Sequence, residues 1–401
     1  LTNDHRFIVG IDLGTTNSAV SYVDLASLPE EIPEGGKQKL IRHFRIPQLT
    51  GLGEITQLPV LPSFLYIPGE YDIAREAIAL PWSPEPSHVV GALARDHGAT
   101  VPARLVSSAK SWLCHGSVDR QAKILPWGVG KDIAKVSPVQ ATAAYLSHIR
   151  QAWNRGKGDD DEAYLENQMV IITVPASFDE VARDLTLSAA TLAGLRHVTL
   201  LEEPLAAFYA WLIRHEHHWR DLVQPGELIL VCDVGGGTSD FTLIILRETE
   251  GSPRFERIAV GDHLILGGDN VDLALARHVE RRFSGKSAAL GPDRWKALCH
   301  QCRQAKESLL EGRSDSVTIT LMGKGGRLIA GTLSATLTRS DVESVLTEGF
   351  FPLVSPGSGR AQRDRKGITE LGLPYEQEPA VTRHLCWFMD QHGEEMAHLL
   401  N

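Results

Sequence analysis

The chain has 401 residues, 43% of them hydrophobic and 22% charged, with a formal net charge of −10. That is enough material to bury two cores of domain size, and the acidic balance excludes a polyanion-binding surface, which needs a basic patch. No stretch approaches the ~20 apolar residues of a membrane span, and no charged segment followed by an apolar one opens the chain, so the expectation is a cytoplasmic protein with neither nucleic-acid nor membrane partners.

In chain order, apolar and β-branched residues fill Phe7 to Leu13 and return at Ser18 to Leu25, with Gly14, Thr15, Thr16 and Asn17 between them. This predicts a β-hairpin. Pro-rich stretches at Leu58 to Pro68 and Pro81 to Pro86, and the acidic stretch Gly158 to Glu162, read as surface connections. A strand is predicted at Met169 to Val174, ended by Pro175, then an amphipathic helix from Phe178 to Leu192 and a short strand at His197 to Leu201. That strand delivers Glu202, Glu203 and Pro204 to a helix over Leu205 to Arg214. His215, His217 and His218 follow at its end and read as a wet surface rather than a ligand set.

A second hairpin repeats the first: Leu228 to Val234, then Gly235, Gly236, Gly237, Thr238 and Ser239, then Asp240 to Leu246. In both copies an aspartate ends the strand two residues before glycine, Asp12 before Gly14 and Asp233 before Gly235, with threonine in the turn. Glycine admits a close backbone approach, and consecutive N–H groups form an anion-binding nest. Helices are predicted at Asn270 to Arg282 and Pro292 to Leu310. The five cysteines, Cys114, Cys232, Cys299, Cys302 and Cys386, are odd in number and fit reduced thiols. Cys299 and Cys302 make a C-x-x-C, but on a predicted helix without a second pair. Ser355 to Gly367 reads as an insertion or loop, its basic run Arg360 to Lys366 solvated. A last helix, Pro379 to His392, carries Val381, Leu385, Phe388 and Met389 on one apolar face.

Alternating strands and helices indicate α/β layering. Two such hairpins, each rooting one lobe, would grip a nucleotide's phosphates from opposite sides. Asp12, Asp233 and Asp240 supply hard oxygen acceptors for a hydrated metal ion, and Glu203 at a strand end can orient an attacking water. Taken singly, each feature has a plain structural explanation: a hairpin turn accounts for Gly14 and Thr15, and Glu203 can serve the helix that starts at Pro204. Their joint order favours the functional one.

These residues resemble the ATPase superfamily of actin, sugar kinases and the seventy-kilodalton heat-shock chaperones, and are most similar to the DnaK-like members. The first phosphate motif stands as VGIDLGTTNSAV, the connecting motif as VPASFDEVARDLTLSAATLAGLRHVTLLEEPLAAFYAW, and the second phosphate motif as CDVGGGTSDFTL. AVGDHLILGGDNVDLALARHV and CHQCRQAKESLL resemble the segment entering the outer part of lobe two and the adenosine-contacting helix. The resemblance covers Phe7 to Leu353.

It implies an actin-like (ribonuclease H-like) α/β ATPase fold with two lobes around a nucleotide cleft. Lobe I would run over 1–222, with its core at 1–45 and 135–222 and an outer subdomain at 46–134. Lobe II would run over 223–401, with its core at 223–265 and 335–401 and an outer subdomain at 266–334. It implies slow hydrolysis of ATP to ADP with magnesium held by Asp12 and Asp233, mainly through water, and potassium as a further candidate ion. Gly14, Thr15, Thr16, Asn17, Gly235, Gly236, Gly237, Thr238, Gly267, Gly268 and Lys306 would contact the nucleotide. Asp12, Asp233, Asp240 and Glu203 would carry catalysis, with Arg95 of VGALARDHG standing for the family's catalytic lysine. A planar guanidinium is not a compact ammonium, so this position departs from the pattern. So do Arg303, Glu307 and Leu310, where the family has glutamate, arginine and serine.

The resemblance further implies a chaperone whose client polypeptides and co-chaperones are engaged through regions outside this sequence. The family's second adenosine motif, its interdomain linker and its substrate-binding domain do not appear after Leu353, and the expectation is a fragment of a longer protein. Two alternatives within the superfamily are a filament-forming cytoskeletal ATPase and a small-molecule kinase. QAKESLLEGRSDSVTITL resembles the chaperones rather than the former, and no general base is left over for the latter.

Overall fold

The structure is a computed structural model that describes residues 5–32, 35–249, 252–283, 290–322, 332–355, 357, 368–370 and 372–400. The basic run 360–366 and most of the segment 355–367 lie outside the described residues.

The first hairpin pairs β1 (Phe7–Leu13) with β2 (Asn17–Asp24), Asp12 standing opposite Ala19. β1 also pairs in parallel with β3 (Met169–Val174), and β3 in parallel with β4 (Val198–Glu202). Parallel neighbours require crossovers. In the chain between β1 and β3 lie α1 (Ala92–Gly98), α2 (Ala109–Leu113) and α3 (Pro138–Arg155), and α4 (Glu180–Leu192) links β3 to β4. Phe7, Val9 and Ile11 alternate inward along β1 and pack with Val170 and Ile172 and with Tyr145, Ile149 and Trp153 of α3. The Trp153 ring meets Phe7 edge-on at 5.3 Å and its indole N–H donates to the Ala163 carbonyl. Burial of this order makes Trp153→Ala cost about 3–5 kcal/mol.

α5 (Glu203–Arg214) starts two residues earlier than its apolar pattern suggests, because Pro204 fits the first helical turn, where its missing N–H is no loss. α4 starts two residues later than Phe178, because the Asp179 carboxylate accepts the Ala182 N–H as its cap.

The second hairpin pairs β5 (Leu228–Val234) with β6 (Ser239–Thr249), setting Asp233 opposite Asp240. β6 runs beyond Leu246 because it also pairs with β7 (Ser252–Val260), a strand the residue pattern left unannounced. A second core gathers Phe241 and Leu243 with Leu275 and Val279 of α6 (Gly268–Arg282) and Leu298, Cys302 and Leu309 of α7 (Pro292–Leu310). Cys299 and Cys302 are buried in this core. α8 (Val381–Gln391) docks there by Val381 and Phe388, whose ring lies 6.0 Å from Phe241. The apolar face at Pro379 to His392 thus finds the second sheet as its partner. A third core, including Leu49, Phe64, Tyr66 and Leu105, belongs to the small sheets between β2 and α3. No helix among the described residues is long and apolar enough to cross a membrane.

Candidate functional site

The two hairpins meet head-on. A Cβ on Gly14 would lie 2.2 Å from the Asn17 carbonyl oxygen, so the first turn closes only with glycine. A Cβ on Gly236 would lie 1.9 Å from the Thr16 hydroxyl oxygen, and one on Gly237 2.6 Å from a Thr15 methyl. The tips therefore approach as closely as backbone allows.

Between them opens a cleft of about 840 Å³ whose walls include Asp12, Gly14, Thr15, Thr16 and Asn17 on one side and Asp233, Gly235, Gly236 and Thr238 on the other. Glu203 and Lys110 form its back. β1 and β5 each deliver their aspartate at the strand end. The Asp12 carboxylate accepts a hydrogen bond from Thr173 at 2.9 Å, which fixes it to β3.

Lys110 donates to Glu203, and both are largely buried, with side chains 9% and 14% exposed. Burial pushes the Glu203 carboxyl up to about 7, with Lys110 holding it back and Asp233 and Asp12 adding to the rise. Burial opposes the charge on Lys110, but the Glu203 carboxylate outweighs it and the ammonium's pKa is raised. The Asp233 carboxyl is also raised, by burial and by the charge of Asp240. Asp12, Asp233 and Glu203 thus gather around the Lys110 ammonium. This excess of hard oxygen donors fits a hydrated divalent cation. No three acidic, histidine or cysteine side chains among the described residues converge tightly enough to hold a metal by themselves. A bound polyphosphate and water would have to complete such a shell.

Several expected residues fall elsewhere. Arg95 does not line the cleft: it sits on α1, where its guanidinium pairs with its neighbour Asp96. Lys110, which pairs with Glu203, lines the cleft instead. It lies in an Ala109-Lys110 pair, the residue types sought at VGALAR but without the preceding glycine. Asp240 is 4% exposed and covered, accepting from the Ser177 hydroxyl while the His263 ring nitrogen lies 3.4 Å away. Ser177 and His263, themselves 2.7 Å apart, were not singled out in the sequence, where nothing marks them. Burial opposes a charge on His263, but hydrogen bonds with Asp240 and Cys114 push its pKa up to about 10.

Gly267, Gly268 and Lys306 also stand off the cleft walls. The Gly268 and Asp269 N–H groups donate to the Gly235 and Gly236 carbonyls at 3.1 and 2.6 Å, so the start of α6 braces the second hairpin from behind. Lys306 pairs with Asp272 at 2.7 Å and donates to the Gly268 carbonyl. Arg303 of the same helix pairs with Asp269 and Asp272. A bond from Ser108, just before α2, to Asp269 (2.6 Å) joins this network to the first lobe.

A family model described as Hsp70 protein matches residues 80–357. Similar curated proteins are named Chaperone protein HscA homolog. That of Bordetella pertussis (strain Tohama I) is 34% identical over 365 residues, 90% of this chain and 50% of that protein. Those of Burkholderia lata and Burkholderia pseudomallei (strain 668) are 31% and 30% identical over 360 residues, 87% of this chain and 49% of theirs. The chain spans about half the length of the curated relatives it matches.

Proposed function

The chain belongs to the Hsp70 family and has the actin-like fold of its nucleotide-binding domain, and from this premise we propose that it binds magnesium-ATP between the two hairpins and hydrolyses it slowly. The observation that carries this reading is the buried Lys110–Glu203 pair at the back of a cleft walled by both hairpins.

Phosphoryl transfer asks the protein for position and charge rather than covalent chemistry. In this reading the N–H groups at Gly14 to Thr16 and Gly235 to Gly236 receive the phosphates, and Asp12 and Asp233 hold magnesium through water, with potassium as a further candidate. Magnesium supplies neutralisation of phosphate charge when bound. Lys110 faces the terminal phosphoryl oxygens, and Glu203 orients the attacking water and takes up its proton. A carboxyl titrating near 7 suits that exchange. We assign lobe I to 1–222 and lobe II to 223–401, and ATP favours their closure. By analogy with relatives named as chaperones, the cycle controls a client-binding region, with co-chaperones as further partners, in the cytoplasm.

Steady-state turnover tests this directly: phosphate release from ATP, with and without magnesium, needing no added acceptor. Turnover that appears only with a phosphate acceptor would transfer the site to the kinase alternative.

A further inference from the structure

A second cavity, of about 400 Å³, lies in the first lobe, away from the hairpins, between the small sheets, α3 and Leu192 of α4. Its volume falls within the range of small-molecule sites. Leu49, Leu65, Ile78, Val89 and Val90 give it an apolar lining, and all five are also members of the cores below. Two features set it apart from a packing gap. The indole N–H of Trp82, which lines it, is buried and has no acceptor, and a buried donor in a native structure is normally paired. The charged side chains lining it are Lys123 and Lys135, and no acidic residue lines it among the described residues.

The two imidazoles do not add to that charge. His148 donates its ring N–H to the Pro47 carbonyl at 2.9 Å, and burial holds its pKa down to about 4. Burial lowers that of His88 as well.

We propose that this cavity binds a small amphiphilic carboxylate, its apolar body against Leu65 and Val90, its acid group toward Lys123 and Lys135, and a carboxylate oxygen accepting the Trp82 N–H. Charge complementarity and the orphan donor select an anion over a neutral lipid, and the size selects one short chain or ring system. The site is separate from the nucleotide cleft, so occupation of one leaves the other open.

The test is calorimetric titration of the whole chain with octanoate, indole-3-acetate and neutral octan-1-ol, in the presence of excess magnesium-ATP. Saturable binding of at least one acid, weaker by about tenfold for the alcohol and for the Lys123→Glu, Lys135→Glu double variant, is the expected result. Lys123 is exposed and Lys135 half-buried, and neither belongs to the apolar cores. The acid that binds shows whether chain or ring is preferred. No saturable binding of either acid, or equal binding by the charge-reversed protein, overturns the proposal.

Discussion

Lys110 and Glu203 form a buried ion pair although 93 positions separate them in the chain. Lys110 stands on the short helix α2, entered through Ser108 at a left-handed φ of 53°. Glu203 opens α5, where the helix N-terminus favours a carboxylate. The pair sets two carriers of charge in one cleft, which Arg95 does not line.

Lys110→Ala is expected to lower ATP turnover by about 10²-fold or more, the scale of losing one preorganised charge at a transition state. Arg95→Ala, which removes an exposed pair with Asp96, should leave turnover unchanged and stability within about 0.5 kcal/mol. Parallel kinetics and thermal melts check both. A slow Arg95→Ala enzyme beside a fast Lys110→Ala enzyme would reverse the assignment.

The pH profile carries the signature of Glu203. Its carboxyl titrates near 7 and acts in its ionised form, so kcat should rise with pH up to about 7 and level off above. Glu203→Gln should be slow and lack that rise. A parent profile flat from pH 5.5 to 8.5 would remove Glu203 from the proton-transfer role.

Stability should depend on pH through His263. Its folded-state pKa of about 10 lies above the ~6.5 of an unfolded chain. The stabilisation is therefore complete below pH 6.5 and is lost as pH climbs through 10. The Tm gap between the parent and His263→Gln should be widest near pH 6 and narrow toward pH 10. A gap that widens instead would show that His263 is buried neutral.

Gly267 should tolerate no side chain. A Cβ there would lie 2.5 Å from the Gly235 carbonyl oxygen, a backbone atom that cannot swing away. Gly267→Ala should cost about 1–3 kcal/mol by overpacking and weaken nucleotide binding by displacing the second hairpin. Gly291→Ala, which meets open space, is the control and should melt with the parent. Equal melts for the two would show that the brace has slack.

What the residue pattern revealed is what local chemistry determines. Both hairpins were legible because glycine and threonine interrupt β-branched runs, and the bounds of β3 and α7 follow directly from Pro175 and Pro292. The position of Glu203 was legible for the same reason, as a carboxylate between a strand and Pro204. Lys110 was not, because its partner is distant and the glycine of the expected pattern is absent. Asp240 stands opposite Asp233 in the hairpin register. Its covering by Ser177 and His263 depends on contacts across 63 and 23 positions, and no local pattern records these. Lys306 lies on α7, a helix its residue pattern predicts, but its Asp272 pairing is a property of the packed pair α6 and α7.

The central claim, that the two hairpins form one magnesium-dependent triphosphate site, is tested most directly by calorimetric titration of magnesium-ATP into the parent, Asp12→Asn and Asp233→Asn. Each substitution removes one carboxylate from a different hairpin while keeping its shape. The account predicts one equivalent bound by the parent, and affinity lowered by about tenfold or more by either substitution and by chelating the magnesium. Folded variants that bind as tightly as the parent, with or without magnesium, would contradict it.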